Sequence, residues 1–126
     1  MILNHLGIII PHLKQSITIY SKMGYKLNEA PVMDSIQNNL ITILKFGSSP
    51  DIELIEPIDE NSSIYKFKES YHHIYYEAER GEDIIQKFKE MKIEKIFTKP
   101  IIAPALDNRE VVFAYLQNET FKRAFE

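Results

Sequence analysis

The sequence predicts an α+β fold built from two tandem βαβββ modules whose sheets cup a shared cavity. Three observations predict it: an internal repeat, the order in which strand-like and helix-like periodicities alternate, and a composition suited to one folded unit. Shifting the sequence by 68 positions places His5 on His73, Leu6 on Ile74, Ile17 on Ile85, Tyr20 on Phe88 and Met23 on Met91. At an offset of 70, the segments 41–44 and 51–56 fall on 111–114 and 121–126. The 126 residues are 44% hydrophobic, 11% aromatic and 26% charged, enough apolar material for one core and too much for disorder. Fifteen basic and eighteen acidic residues give a net charge of −3, with no run of like charge longer than two, which argues against nucleic acid or an anionic membrane as partner. There is no cysteine, so disulfides, thiolate nucleophiles and Cys-ligated metals are excluded. The start, Met1-Ile2-Leu3-Asn4-His5, carries no basic targeting segment, and a cytoplasmic location is expected.

The elements follow in order. Residues 2–10 form an apolar strand that stops at Pro11. Leu13, Ile17, Tyr20 and Met23 then recur at helical spacing. Strands are expected near 25–29, 38–46 and 51–57, the second of them bounded by Asn38-Asn39 and by Gly47-Ser48-Ser49-Pro50. This is module 1, residues 1–57, within a single domain of 1–126. A linker, 58–70, carries a short helix near 63–68, and module 2 occupies 71–126. Its strand at 72–79 precedes a helix with Ile84, Ile85, Phe88 and Met91 on one face. Glu82 and Asp83 open that helix and Lys87, Lys89 and Lys92 close it, as the helix dipole favours. Strands near 93–98, 110–116 and 120–125 complete the chain.

Strand alternation sorts the polar residues. If Leu6, Ile8 and Ile10 face the first helix, His5, Gly7 and Ile9 face away from it. By the same parity His73, Tyr75 and Glu77 oppose Ile74 and Tyr76, while Glu53 and Ile55 oppose Leu54. A cavity between the helix-free faces then receives His5, His73 and Glu53, with position 123 as the symmetric fourth. Two imidazoles and a carboxylate suit a divalent Zn, Co, Ni, Fe or Mn ion. A lone strand-initial histidine is more often solvated than ligating; the equivalence of the two in the repeat is what distinguishes this pair. His72 is expected to face the helix layer or solvent, and His12 the surface.

These segments resemble the vicinal oxygen chelate (glyoxalase / bleomycin resistance protein / dioxygenase) superfamily, closest in look to methylmalonyl-CoA epimerase-like and lactoylglutathione lyase-like bacterial members. His5-Leu6-Gly7-Ile8-Ile9-Ile10 is similar to its "DHIGIAV" strand. Asp51 to Pro57 with Asn61 to Phe67 resembles "ELLEP…SPIAKF", and Tyr71 to Glu77 resembles "LHHIAFEV". Residues 102–113 are similar to an "APA-DNR-VAF" loop and strand. In metal-dependent members the ion is held by a His, an acidic or amide residue, a second His and a final Glu. The resemblance carries this over to His5, Glu53 and His73, but the last position holds Arg123, which has no lone pair to give. An inward Arg123 would pair with Glu53, exclude the metal and clamp an anionic ligand. An outward one would leave a two-His, one-carboxylate face with open positions.

The resemblance implies an isomerase or lyase that abstracts a proton next to a carbonyl with metal assistance, with Glu77 and Asp34 as candidate bases. The alternative it implies is a metal-free ligand-binding or resistance-type protein. Tyr75, Phe121 and Phe125 would line the cavity, and Asn108 and Arg109 would sit on a rim formed by the 100–109 loop. The implied ligand is a small thioester or organic anion, and the implied assembly a homodimer.

Overall fold

The computed structural model describes residues 2–77, 86, 90, 95–96, 101–106, 108–115 and 122–125. Module 1 contains β1 (Ile2–Ile9), α1 (Leu13–Lys22), β2 (Lys26–Leu27), β3 (Val32–Asp34), β4 (Asn39–Lys45) and β5 (Asp51–Pro57). A 3-10 turn at Tyr65–Phe67 falls inside the expected linker helix. Module 2 contains β6 (Ser70–Glu77), β7 (Lys95–Ile96), β8 (Ile101–Ala103), a 3-10 turn at Pro104–Leu106, β9 (Arg109–Tyr115) and β10 (Lys122–Phe125). The expected second helix lies outside the described residues except for helical backbone at Gln86 and Glu90, whose side chains are hydrogen-bonded at 3.3 Å.

The halves do not form two separate sheets. β1 pairs antiparallel with β6, giving one ten-stranded sheet in the order β2-β4-β5-β1-β6-β10-β9-β7, with β3 on β4 and β8 on β9. The repeat is visible on either side of this seam: β1 runs parallel to β5 as β6 does to β10, and the hairpins β4–β5 and β9–β10 flank them. Both β3 and β8 fall in segments read as loops from the sequence. They occupy equivalent places, so the duplicated unit has one more short strand than its periodicity reveals.

Burial follows the alternation. Ile10, Leu13, Leu44, Ile52 and Leu54 form the core beneath α1, with Leu6, Ile8, Ile17 and Tyr20 packed on it. Glu56 reaches the start of α1, its Oε1 accepting from the Leu13 N–H at 2.9 Å and satisfying one of the helix's open donors. Met23 lies past the end of α1 and is exposed, because the chain turns there through Gly24 at φ +106°. On the opposite face Ile9, Ile41, Ile55 and Ile64 form one apolar cluster, and Tyr75, Ala103 and Val111 another. Among the described residues no helix is long and apolar enough to cross a membrane.

Candidate metal centre

His5 on β1, Glu53 on β5 and His73 on β6 meet on the helix-free face beside the seam. The β1–β5 register sets Glu53 opposite Gly7, and the β1–β6 register sets His73 opposite the same glycine. All three are buried, with His5 completely so. His5 Nε2 lies 3.2 Å from His73 Nε2 and 3.4 Å from Glu53 Oε2, and His73 Nε2 lies 3.5 Å from Glu53 Oε1. Gly7 makes this approach possible: a Cβ there would lie 2.5 Å from His73 Nδ1 and 2.8 Å from Nε2. The Tyr75 ring stacks on His5 with centroids 4.5 Å apart and planes 1° from parallel.

The donor set fits a divalent ion. Atoms bound at about 2.1 Å stand about 3.0 Å apart at a right angle and about 3.4 Å apart at the tetrahedral angle, close to the 3.2, 3.4 and 3.5 Å found here. The electrostatics agree. Burial pushes the Glu53 carboxyl up to about 8, with the Asp34 carboxylate adding to the effect, and burial lowers His5 to about 3. Without a cation, then, Glu53 keeps its proton and His5 is uncharged at physiological pH. Asn4 fixes the His5 tautomer: its Nδ2 donates to Glu77 Oε2 at 3.3 Å, so its Oδ1 faces His5 Nδ1 at 3.0 Å and can only accept. His5 Nε2 is left as a lone pair aimed at His73 Nε2, an arrangement that a shared cation satisfies.

The cluster opens on a pocket of about 40 Å³ lined by Asp34, Asn39, Glu53, His72, His73 and Tyr75, with apolar walls and the 104–106 turn. Asp34 is buried, and its carboxylate accepts from the Ile36 and Gln37 N–H groups and from Gln37 Nε2. Glu77 is not in this pocket. It forms an ion pair with Arg109 in a neighbouring polar pocket of about 220 Å³, which also holds Asn4, Lys45 and Asp51 and shares Tyr75, Ala105 and Leu106 with the first. Asn108 is an exposed turn residue at φ +58° whose N–H bonds Ala103 O.

His72 departs from expectation: it is buried, lines the pocket, and its Nδ1 lies 2.7 Å from His73 Nδ1. The cause is a bulge, since the register steps from Gly7↔His73 to Ile8↔Tyr71 and skips His72, which breaks strict alternation. His12 is exposed, as expected. Phe121 lies outside the described residues, and Phe125 and Arg123 are described by backbone only. β10 sets Arg123 opposite Ile74 on β6, while Lys122 stands opposite His73 and Ala124 opposite Tyr75. Position 123 is thus one residue out of step with the place Glu53 takes opposite Gly7 in module 1.

The pairing of two such modules across one seam, with this cluster on the helix-free face, defines a class of domains before any sequence comparison. The chain belongs to the Glyoxalase/Bleomycin resistance protein/Dioxygenase superfamily, whose family model matches residues 4–113. No curated protein sequence matches it significantly. Among solved structures, hypothetical protein BH1468 from Bacillus halodurans C-125 is 27% identical, with a TM-score of 0.84 over 98% of this chain and 91% of that one. Methylmalonyl-CoA epimerase from Mycobacterium tuberculosis shares the fold at 18% identity, with a TM-score of 0.84 over 98% and 85% of the two chains. A methylmalonyl-CoA epimerase in complex with methylmalonyl-CoA and NH4+ shares it at 16% identity, with a TM-score of 0.77 over 98% and 93%.

Proposed function

We propose that this chain is a divalent-metal isomerase or lyase that removes a proton from the carbon beside a carbonyl, held by His5, Glu53 and His73 and served by Asp34 as base. The observation that carries the reading is the convergence of three buried ligand atoms, all within 4.8 Å of one another, with Glu53 and His73 lining a pocket that also holds a second carboxylate, Asp34. A bound Zn, Co, Ni, Fe or Mn ion would supply Lewis-acid stabilisation of the negative charge that develops on the carbonyl oxygen.

The chain's own residues do the rest. Asp34 Oδ1 is taken by two backbone donors and Oδ2 by one side-chain donor, so the remaining lone pair of Oδ2 receives the proton. Ile41, Ile55 and Val111 line the pocket and keep water from the reacting carbon. The small pocket suits an acyl group, and the adjoining polar one, with Arg109 and Lys45, suits the rest of a thioester or organic anion. Glu77, ion-paired with Arg109, serves this outer pocket in the same reading. A cytoplasmic homodimer, by analogy with the superfamily, completes the proposal.

The test combines metal analysis of protein purified without chelators with deuterium incorporation at the α-carbon of methylmalonyl-CoA in D2O. Stoichiometric metal and exchange, both lost in His5→Ala, are expected. A chain that holds no metal and takes up no Co2+ overturns the reading and leaves the sequestering alternative.

A further inference from the structure

The β1–β6 seam contains two register shifts. The first skips Asn4, between Leu3↔Tyr76 and His5↔Tyr75, and the second skips His72, between Gly7↔His73 and Ile8↔Tyr71. Each bulged residue immediately precedes one of the candidate ligand histidines. Asn4 and His72 are 68 positions apart, the same offset that relates His5 to His73. Each turns its side chain onto the Nδ1 of the histidine that follows, Asn4 Oδ1 at 3.0 Å and His72 Nδ1 at 2.7 Å. The duplication therefore carries a histidine, its bulge and its hydrogen-bond partner as one unit.

We propose that Asn4 and His72 are paired positioning residues that hold Nδ1 of His5 and His73, so that both Nε2 atoms face the ion. The proposal rests on the metal reading above and deepens it. The chemistry follows from the acceptor on each side. Asn4 presents an amide oxygen, which only accepts, so His5 carries its hydrogen on Nδ1. His72 plays the same part when its Nδ1 accepts from the His73 Nδ1–H. Both ligands then share one tautomer, and their rings are held by a second contact at the far nitrogen. Groups that hold a metal-binding imidazole this way affect metal affinity by about 10–100-fold. Tyr75, stacked flat on His5, and Gly7, beneath His73, restrict ring rotation but leave the tautomer open.

The module equivalence supplies its own control. Oδ1 of an asparagine occupies the place of a histidine Nδ1, so His72→Asn installs in module 2 the acceptor that module 1 already uses. The experiment titrates the metal-free full chain with Co2+ in competition with a chelator, for the unsubstituted protein and for Asn4→Leu, His72→Leu, His72→Asn and Asn4→Asp. Asn4→Leu and His72→Leu are expected to bind about 10–100-fold more weakly, while His72→Asn and Asn4→Asp stay within a few-fold of the unsubstituted chain. In parallel, 15N NMR of the Zn2+-loaded protein should show His5 and His73 bound through Nε2 with the hydrogen on Nδ1, and loss of that preference at the neighbouring ring in each leucine variant. Unchanged Co2+ affinity in both leucine variants, or no rescue by His72→Asn, overturns the assignment and leaves the metal reading standing. A chain that binds no Co2+ overturns the metal reading and the assignment that rests on it, whereas hydrogen on Nε2 of either ring in the Zn2+-loaded chain overturns the assignment alone.

Discussion

Gly7→Ala is the substitution whose consequence is most directly fixed by the geometry. The added methyl would lie 2.5 Å from His73 Nδ1 and 2.8 Å from Nε2, where about 3.5–4.0 Å is the comfortable separation. The imidazole must therefore move by about 1 Å. That displacement disturbs the 3.2 Å and 3.5 Å distances from His73 Nε2 to His5 and Glu53 on which a shared ion depends. Overpacking of this kind costs about 1–3 kcal/mol. Replacing a strand-interior glycine by alanine is otherwise favourable by about 0.5–1 kcal/mol. The net effect expected in the metal-free protein is a loss of about 1–2 kcal/mol, which lowers Tm by several degrees in a domain of this size. In a His73→Ala background the obstruction is gone, and the same substitution should become neutral or stabilising. Urea denaturation of the four chains of this double-mutant cycle measures the coupling, expected near 2 kcal/mol. Equal destabilisation in both backgrounds would refute the steric argument and shift the role of Gly7 to backbone conformation.

The other predictions concern the titrating groups and the base. In the metal-free chain Glu53 keeps its proton up to about 8 in the folded state but releases it near 4.5 when unfolded, so the stability present below pH 4.5 is lost as pH rises toward 8. His5 opposes this: its folded value near 3 against 6.5 unfolded removes stability as pH falls from 6.5 toward 3. The two slopes offset each other between 4.5 and 6.5, giving a plateau, and an alkaline decline of about 2 kcal/mol remains between pH 6.5 and 8. Urea midpoints across pH should trace this shape, and Glu53→Gln should remove the alkaline limb; a variant that keeps it places the titrating group elsewhere. Asp34→Asn should slow deuterium exchange by about 10²–10⁴-fold while Co2+ affinity changes only a few-fold. Exchange at the unsubstituted rate would remove Asp34 from the base role.

The sequence makes the long elements legible because their periodicities are unambiguous. β5 appears at the residues expected, and β1, β4 and β6 appear within one or two residues, since each combines an apolar row with clear turn residues at its ends. β3 and β8 are three residues each, too short for alternation to register, and both precede the strands they pair with by a turn. The site was legible through duplication rather than through any motif: His5 and His73 coincide under one shift, and parity brings Glu53 to them. Parity also misled, because it assumes an unbroken ladder. For that reason it turns His72 away from the pocket that the residue lines, and the parts played by Asn4 and Gly7 depend on a bulge and a close ring contact that alternation does not register. The offset of 68 did place Asn4 on His72, so a search for polar residues at equivalent positions could have found the pair.

Because β1 and β6 belong to different halves and are hydrogen-bonded to each other, an ion gripped by His5 and His73 would act as a rivet through the joint. Its grip would count toward keeping the halves closed. At a free concentration a thousand times Kd, one such ion adds about 4 kcal/mol to the folded state. Chelation would then loosen the junction along its length, and amide exchange along β1 and β6 would report the metal content of the chain.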